Sequence, residues 1–235
     1  MLLLDIPKEQ KEKLLIGVVQ VGIDINEIYA ESKNNPFPKK AWSVGGGTFS
    51  GRKWPIIFAG VMLGDKSMQQ VEMLGMSNED GQTYYGKSWT GAKVCWGMYH
   101  GLSKSDNGGP SWDHEEKLPS LWTVDGRGKP GDPGAGHDSD ARSESYRNCC
   151  TSMQWVGEAL AVRLMGATKA WSHDAFFDYV DRWMTEDNTE FLKIEKQETG
   201  RTYSAQRTAQ NKFVDEMWAK YRSTVQPPPN GWKGS

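Results

Sequence analysis

The stretch Gly45-Gly46-Gly47-Thr48-Phe49-Ser50-Gly51-Arg52-Lys53-Trp54-Pro55 constrains this chain most. Glycine enters positive φ without steric cost, so four glycines in seven residues permit a bend in which another backbone or a ligand comes close. Pro55 then opens the apolar run Ile56-Ile57-Phe58-Ala59-Gly60-Val61-Met62-Leu63, and proline is favoured in the first turn of a helix. Arg52 and Lys53 are thereby placed where a loop becomes a helix, beside free backbone N–H groups and a positive dipole end. That position suits an anion such as a carboxylate or sulfate. Read without a ligand, the same residues are a connector whose two cations face water.

With 235 residues and no repeated module, the reading is a single helical domain over 1–222 and an extended tail over 223–235 that contains Pro227-Pro228-Pro229. A net charge of −2 argues against nucleic acid as the partner, which needs a concentrated basic stripe. No apolar run is long enough for a bilayer, and Met1-Leu2-Leu3-Leu4-Asp5 is too short for a signal peptide. The three cysteines, Cys95, Cys149 and Cys150, cannot build a disulfide framework. Adjacent cysteines bond to each other only with strain, so buried thiols are the reading, with one long-range bridge from Cys95 left open. Eleven Trp and eight Tyr are more than a core needs, and many stand in glycine-rich connections, where flat aromatic faces serve as ligand platforms.

Helical spacing dominates the chain. Leu14, Val18, Val21, Ile25 and Ile28 recur at intervals of three and four and predict a helix over 7–32, ended by Asn34-Asn35-Pro36. A second helix is expected over 55–64 with a continuation over 67–74, the two flanking the glycine bend as an antiparallel hairpin. Residues 78–89 read as a loop, 90–100 as a short helix capped by Thr90, and 101–142 as a long ordered Gly/Pro/Trp-rich covering loop. The strongest helix starts at Ser143 or Ser145 and ends at Gly166. Ser172 caps another, 187–203 holds a short hairpin or nothing regular, and the last helix covers 204–221.

Three stretches carry a family likeness: GGGTFSGRKWPIIFAG (45–60), EDGQTYYGKSW (79–89), and 146–183, where YRNCCTSMQWVGEALAVRLM is followed by WSHDAFFDYVDRW. They resemble the (α/α) toroid carbohydrate-active enzymes, the superfamily of alginate- and heparinase-type polysaccharide lyases and six-hairpin glycosidases. The resemblance implies a mainly α fold, an incomplete (α/α) toroid or helical-hairpin array with long loops, since fewer helices are legible than a complete ring requires. It also implies an acidic, uronic-acid-containing polysaccharide as substrate and cleavage by β-elimination, with secretion following from that reading. An incomplete ring leaves apolar edges, so self-association is expected.

In β-elimination the uronate must be neutralised, a base must take the C5 proton, and the leaving oxygen must be protonated. The resemblance puts Tyr84 or Tyr85 and a histidine, His114 among them, in the proton-moving roles. Arg52, Lys53 and Arg147 meet the carboxylate, and Tyr146, Trp89, Trp112 and Trp122 hold sugars. A tyrosine needs a nearby cation to act near neutral pH, and Lys87 or Arg52 would serve. Hydrolysis instead needs two carboxyl groups across the glycosidic bond, ~5 Å apart for retention or ~6.5–9.5 Å for inversion. Glu79 and Asp80 are adjacent and diverge, so one of them would pair with Asp113, Asp125 or Glu158. A non-catalytic glycan-binding or assembly module is the third reading. Trp112-Asp113-His114-Glu115-Glu116 has ligand types without a recognised ligand spacing, and no metal or cofactor is assigned. The enzymatic readings share one geometric requirement: the Arg52 turn and the Tyr84-Tyr85 pair must converge.

Overall fold

The computed structural model describes residues 5–34, 50–71, 77–85, 88, 90–96, 147–148, 150–200, 202 and 207–225. Helices dominate: α1 (Lys8–Asn34), α2 (Lys53–Leu63), α3 (Asn78–Gly81), α4 (Ser152–Leu164), α5 (Thr168–Trp171), α6 (Asp174–Thr185), α7 (Thr189–Thr199) and α8 (Lys212–Tyr221). A 3-10 turn, Arg222–Thr224, follows α8. Two short strands, β1 (Thr83–Tyr85) and β2 (Val94–Trp96), pair antiparallel with Thr83 opposite Trp96, Tyr84 opposite Cys95 and Tyr85 opposite Val94.

The mainly α expectation holds, but several elements differ from it. Residues 94–96 form a strand where a helix was expected. Val94, Cys95 and Trp96 are all buried, a two-sided burial that carries no helical period. Thr90 caps no helix there; its hydroxyl donates to Glu186 Oε1. Residues 78–85, read as loop, hold a helical turn and β1. The continuation of α2 is absent at 67–71, which is turn, with Ser67 N donating to Asp65 Oδ1 at 2.8 Å. Ser172 does not cap α6. It takes φ +60° and closes α5, and His173 is the N-cap. Residues 189–199 form a helix because Phe191 enters the interior and Gly200 (φ +71°) supplies the left-handed stop. The last helix starts at Lys212, capped by Asn211, whose side chain accepts from Val214 N at 3.2 Å.

Two clusters form the interior. The larger gathers Trp155, Val156, Ala159 and Leu160 of α4, Trp171 of α5, Phe176, Phe177, Tyr179, Val180 and Trp183 of α6, and β2. Trp171 stacks on Phe176 with ring centroids 4.6 Å apart, while Trp155 meets Tyr179 edge-on at 5.7 Å. The smaller cluster packs α1 on α2 through Tyr29, Ile56, Ala59, Met68 and Val71. Gly22 is required there, since a Cβ would stand 2.1 Å from Pro55 O and 2.6 Å from Ala59 Cβ.

α6 is the central element, buried on nearly every side. Arginines fasten its polar residues. Arg163 of α4 holds Asp181 by two hydrogen bonds of 2.8 Å, and Arg222 joins the same carboxylate. Burial would raise the Asp181 pKa, but these two guanidinium groups win and hold it below the usual carboxylate value. Arg182 donates to Val94 O at 2.8 Å and to Glu186 Oε2 at 2.9 Å, tying α6 to β2.

Candidate functional site

The turn 50–53 is held on three sides. Ser50 Oγ accepts from Trp155 Nε1 of α4 at 3.0 Å. Gly51, at φ +78°, turns its N–H to Glu79 Oε1 at 2.6 Å. Lys53, the first residue of α2, donates its ammonium to Asp80 Oδ2 and to the carbonyl of Trp171, with its Nζ 4.9 Å from the Trp171 ring centre. The Trp171 indole N–H completes the arrangement by donating to Asp80 Oδ1 at 2.9 Å. Asp80 and Lys53 are both buried, so each neutralises the other away from water.

Glu79 is fully buried and its second oxygen accepts from Ser77 Oγ at 2.6 Å. Glu158 of α4 lies close enough to the Glu79 carboxyl for the two charges to act on each other. Burial first, then the neighbouring charges of Glu79 and Asp80, push the Glu158 carboxyl well above its ordinary pKa. Both Glu79 oxygens are engaged, Oε1 by the Gly51 N–H and Oε2 by the Ser77 hydroxyl. Glu158 Oε2 is sealed from solvent without a hydrogen-bond partner, although the residue as a whole is only half-buried. A Cβ on Gly51 would lie 3.6 Å from Glu158 Oε1, so the glycine backbone runs directly over this carboxyl. Arg52 is nearly buried beside the couple. Its burial draws the guanidinium pKa down from the ordinary value, and the charge of Glu79 pulls it back.

A second group of polar residues lies on the α6 side of β1. Tyr85 OH donates to Asp178 Oδ2 at 2.9 Å, and Asp178 Oδ1 is buried without a hydrogen-bond partner. Burial raises the Asp178 carboxyl to about 6, against the lowering effect of the Tyr85 bond. His173 Nε2 lies 2.9 Å from Thr83 O and 3.0 Å from Thr83 Oγ1, whose own proton goes to Glu79 O. A carbonyl only accepts, so Nε2 carries the imidazole proton. His173 thus links the start of α6 to the backbone between Glu79 and Tyr85.

Of the residues singled out by sequence, the structure brings Arg52, Lys53, Glu79, Asp80 and Glu158 together. The turn and Tyr85 are anchored to one segment, 77–85, but the Tyr85 phenol faces Asp178, whereas the turn faces Glu79 and Asp80. The Tyr85 phenol meets a carboxylate at this contact, and Lys87, one of the two cations expected beside it, lies outside the described residues. Arg147 is fully buried, donating to Tyr179 OH at 2.6 Å and lying over the Tyr179 and Trp183 rings. Tyr84 occurs in β1, with its side chain outside the description. Lys87, Trp89, Trp112, His114, Trp122, Tyr146 and the 101–142 loop lie outside the described residues. Cys95 is a free buried thiol as expected, while Cys150 is disulfide-bonded, unlike the thiol predicted; Cys149 lies outside the described residues.

Asp178 escaped the sequence reading. Its one signal is an acid between Phe177 and Tyr179 in a helix of apolar periodicity, and that becomes informative only once α6 is known to be enclosed. Among the described residues, no three His, Cys, Asp or Glu side chains are grouped so as to hold a metal ion, and no helix is long and apolar enough to cross a membrane. No protein-family model, curated protein or solved structure matches the chain.

Proposed function

We propose that the chain is a carbohydrate-active enzyme that cleaves glycosidic bonds of an acidic polysaccharide, with Glu79 and Glu158 as its acid–base pair. The observation that carries this reading is the gathering of two carboxyl groups at the Gly51 turn beside Arg52, with Glu79 Oε1 2.6 Å from Gly51 N and Glu158 Oε1 3.6 Å from where a Gly51 Cβ would stand. A leaving glycosidic oxygen needs a proton donor that is still protonated near neutral pH, and a carboxyl raised by burial and a neighbouring charge meets that need. Glu158 is that donor. Glu79, oriented by the Gly51 N–H and the Ser77 hydroxyl, is the carboxylate that acts opposite it. An entering sugar would place its glycosidic oxygen between the two carboxyl groups, ~5 Å apart for retention or ~6.5–9.5 Å for inversion.

This assignment favours hydrolysis over β-elimination. The Tyr85 hydroxyl, which a β-elimination would need as base, has its proton committed to Asp178 Oδ2 at 2.9 Å. Lys53 balances Asp80, which leaves Arg52 as the cation nearest the couple for a sugar carboxylate.

The test is incubation of the full chain with alginate, pectate, heparin and glucuronan, following both reducing ends and the absorbance of unsaturated uronate. Reducing ends without that absorbance, lost by about 10²–10⁴-fold in Glu158→Gln, are expected. Unsaturated products abolished by Tyr85→Phe would replace this mechanism with β-elimination. Glycan retention on an affinity gel with no cleavage would overturn the enzymatic reading in favour of a binding module.

A further inference from the structure

α1 has two faces, and only one is used by the rest of the described chain. The face carrying Val19, Gly22, Ile23, Ile25 and Tyr29 packs toward α2 and the smaller cluster. Along the edge of that face Leu14, Val21 and Ile28 are 45%, 48% and 42% exposed. Their spacing of seven places all three in one stripe along the helix. Gly17 stands in that stripe, between Leu14 and Val21, and an added Cβ there would meet nothing within 4 Å. A glycine inside a helix is destabilising, and Gly22 has its reason in the contact with Pro55 and Ala59. Gly17 has none within the described chain. A bare backbone flanked by two aliphatic side chains is what a second helix needs for close approach.

The charges beside this stripe say which helix. Toward the N-terminal end lies Lys13, exposed and paired on its own helix with Glu9 at 2.9 Å. Toward the C-terminal end lie the exposed Asp24, which accepts from Gln20 at 2.8 Å, and Glu31. Between Val18 and Glu31 the helix has three acidic residues, Asp24, Glu27 and Glu31, and no basic one. The segment Lys8–Lys13 has three lysines against two glutamates. A second copy of α1 laid antiparallel across Gly17 therefore sets lysines against acids at both ends, and opposes the two helix dipoles favourably. A parallel copy would set acids against acids.

We infer that the Leu14–Gly17–Val21–Ile28 face of α1 is a self-association surface that pairs antiparallel with the same face of a second copy. This stands apart from the carboxyl couple, so it does not depend on the enzymatic proposal.

Sedimentation velocity of the full chain over a concentration series reads it directly. The expected result is a concentration-dependent dimer that Leu14→Glu with Val21→Glu converts to monomer without altering the far-UV spectrum or thermal midpoint. Lys13→Glu and Asp24→Lys, each alone, are expected to weaken association several-fold, and the two combined in one chain to restore it, because the antiparallel pair exchanges partners. A wild-type chain that stays monomeric at every concentration overturns the inference. So does a dimer indifferent to Leu14→Glu with Val21→Glu, or one that the charge-swapped double variant fails to restore.

Discussion

Asp178→Asn isolates the energetic consequence of burying a carboxyl beside Tyr85. Asp178 is inaccessible to solvent and titrates at about 6 against an ordinary value of 3.8. The groups that face it are Tyr85 of β1, Arg163 of α4, and Asp174 and Asp181 of its own helix; burial outweighs them all. Because the folded pKa lies above the unfolded one, the native state binds more protons than the unfolded state between the two values. Stability is therefore fully present below about pH 4, falls as pH rises to about 6, and is level above. At about 1.36 kcal/mol per pH unit, the interval from 3.8 to about 6 comes to about 3 kcal/mol at most. Asn keeps an oxygen for the Tyr85 hydroxyl but cannot ionise. Urea unfolding followed by tryptophan fluorescence from pH 3.5 to 7.5 should show the variant gaining on wild type by about 2–3 kcal/mol across that window. Any constant offset from the new amide N–H cancels in this comparison. Parallel pH profiles, with no gain for the variant, would refute the assignment of Asp178 as a carboxyl raised by burial.

Two further outcomes follow from the packing. Lys53→Met leaves Asp80 buried without its cation, held by the Trp171 indole N–H, and should cost about 3–5 kcal/mol in urea unfolding, whereas Lys53→Met combined with Asp80→Asn should recover part of that loss. Gly22→Ala should destabilise by about 1–3 kcal/mol, seen as a lower thermal midpoint, because the new methyl meets the Pro55 carbonyl oxygen at 2.1 Å and backbone cannot give way as a side chain would.

Much of the helical framework was legible from local rules. The period of three and four placed α1 within two residues of its observed ends, Pro55 marked the first turn of α2, and the glycines at 51 and 166 turned out to hold positive φ. These signals are local because helix formation and left-handed turns depend on neighbours a few residues away. Glu158 entered the reading only as one of three partners for Glu79 or Asp80, since nothing along the chain relates residues 79 positions apart. Tertiary contact brings it near Glu79 and Gly51. The same holds for β2. Val94-Cys95-Trp96 becomes a strand because Thr83–Tyr85 offers it a hydrogen-bonding edge and α6 encloses it. It holds for Asp178 too, an ordinary helix acid until the aromatic interior removes its water. Periodicity is written in sequence, but desolvation and carboxyl pairing depend on distances through space, and those exist only after the chain has packed.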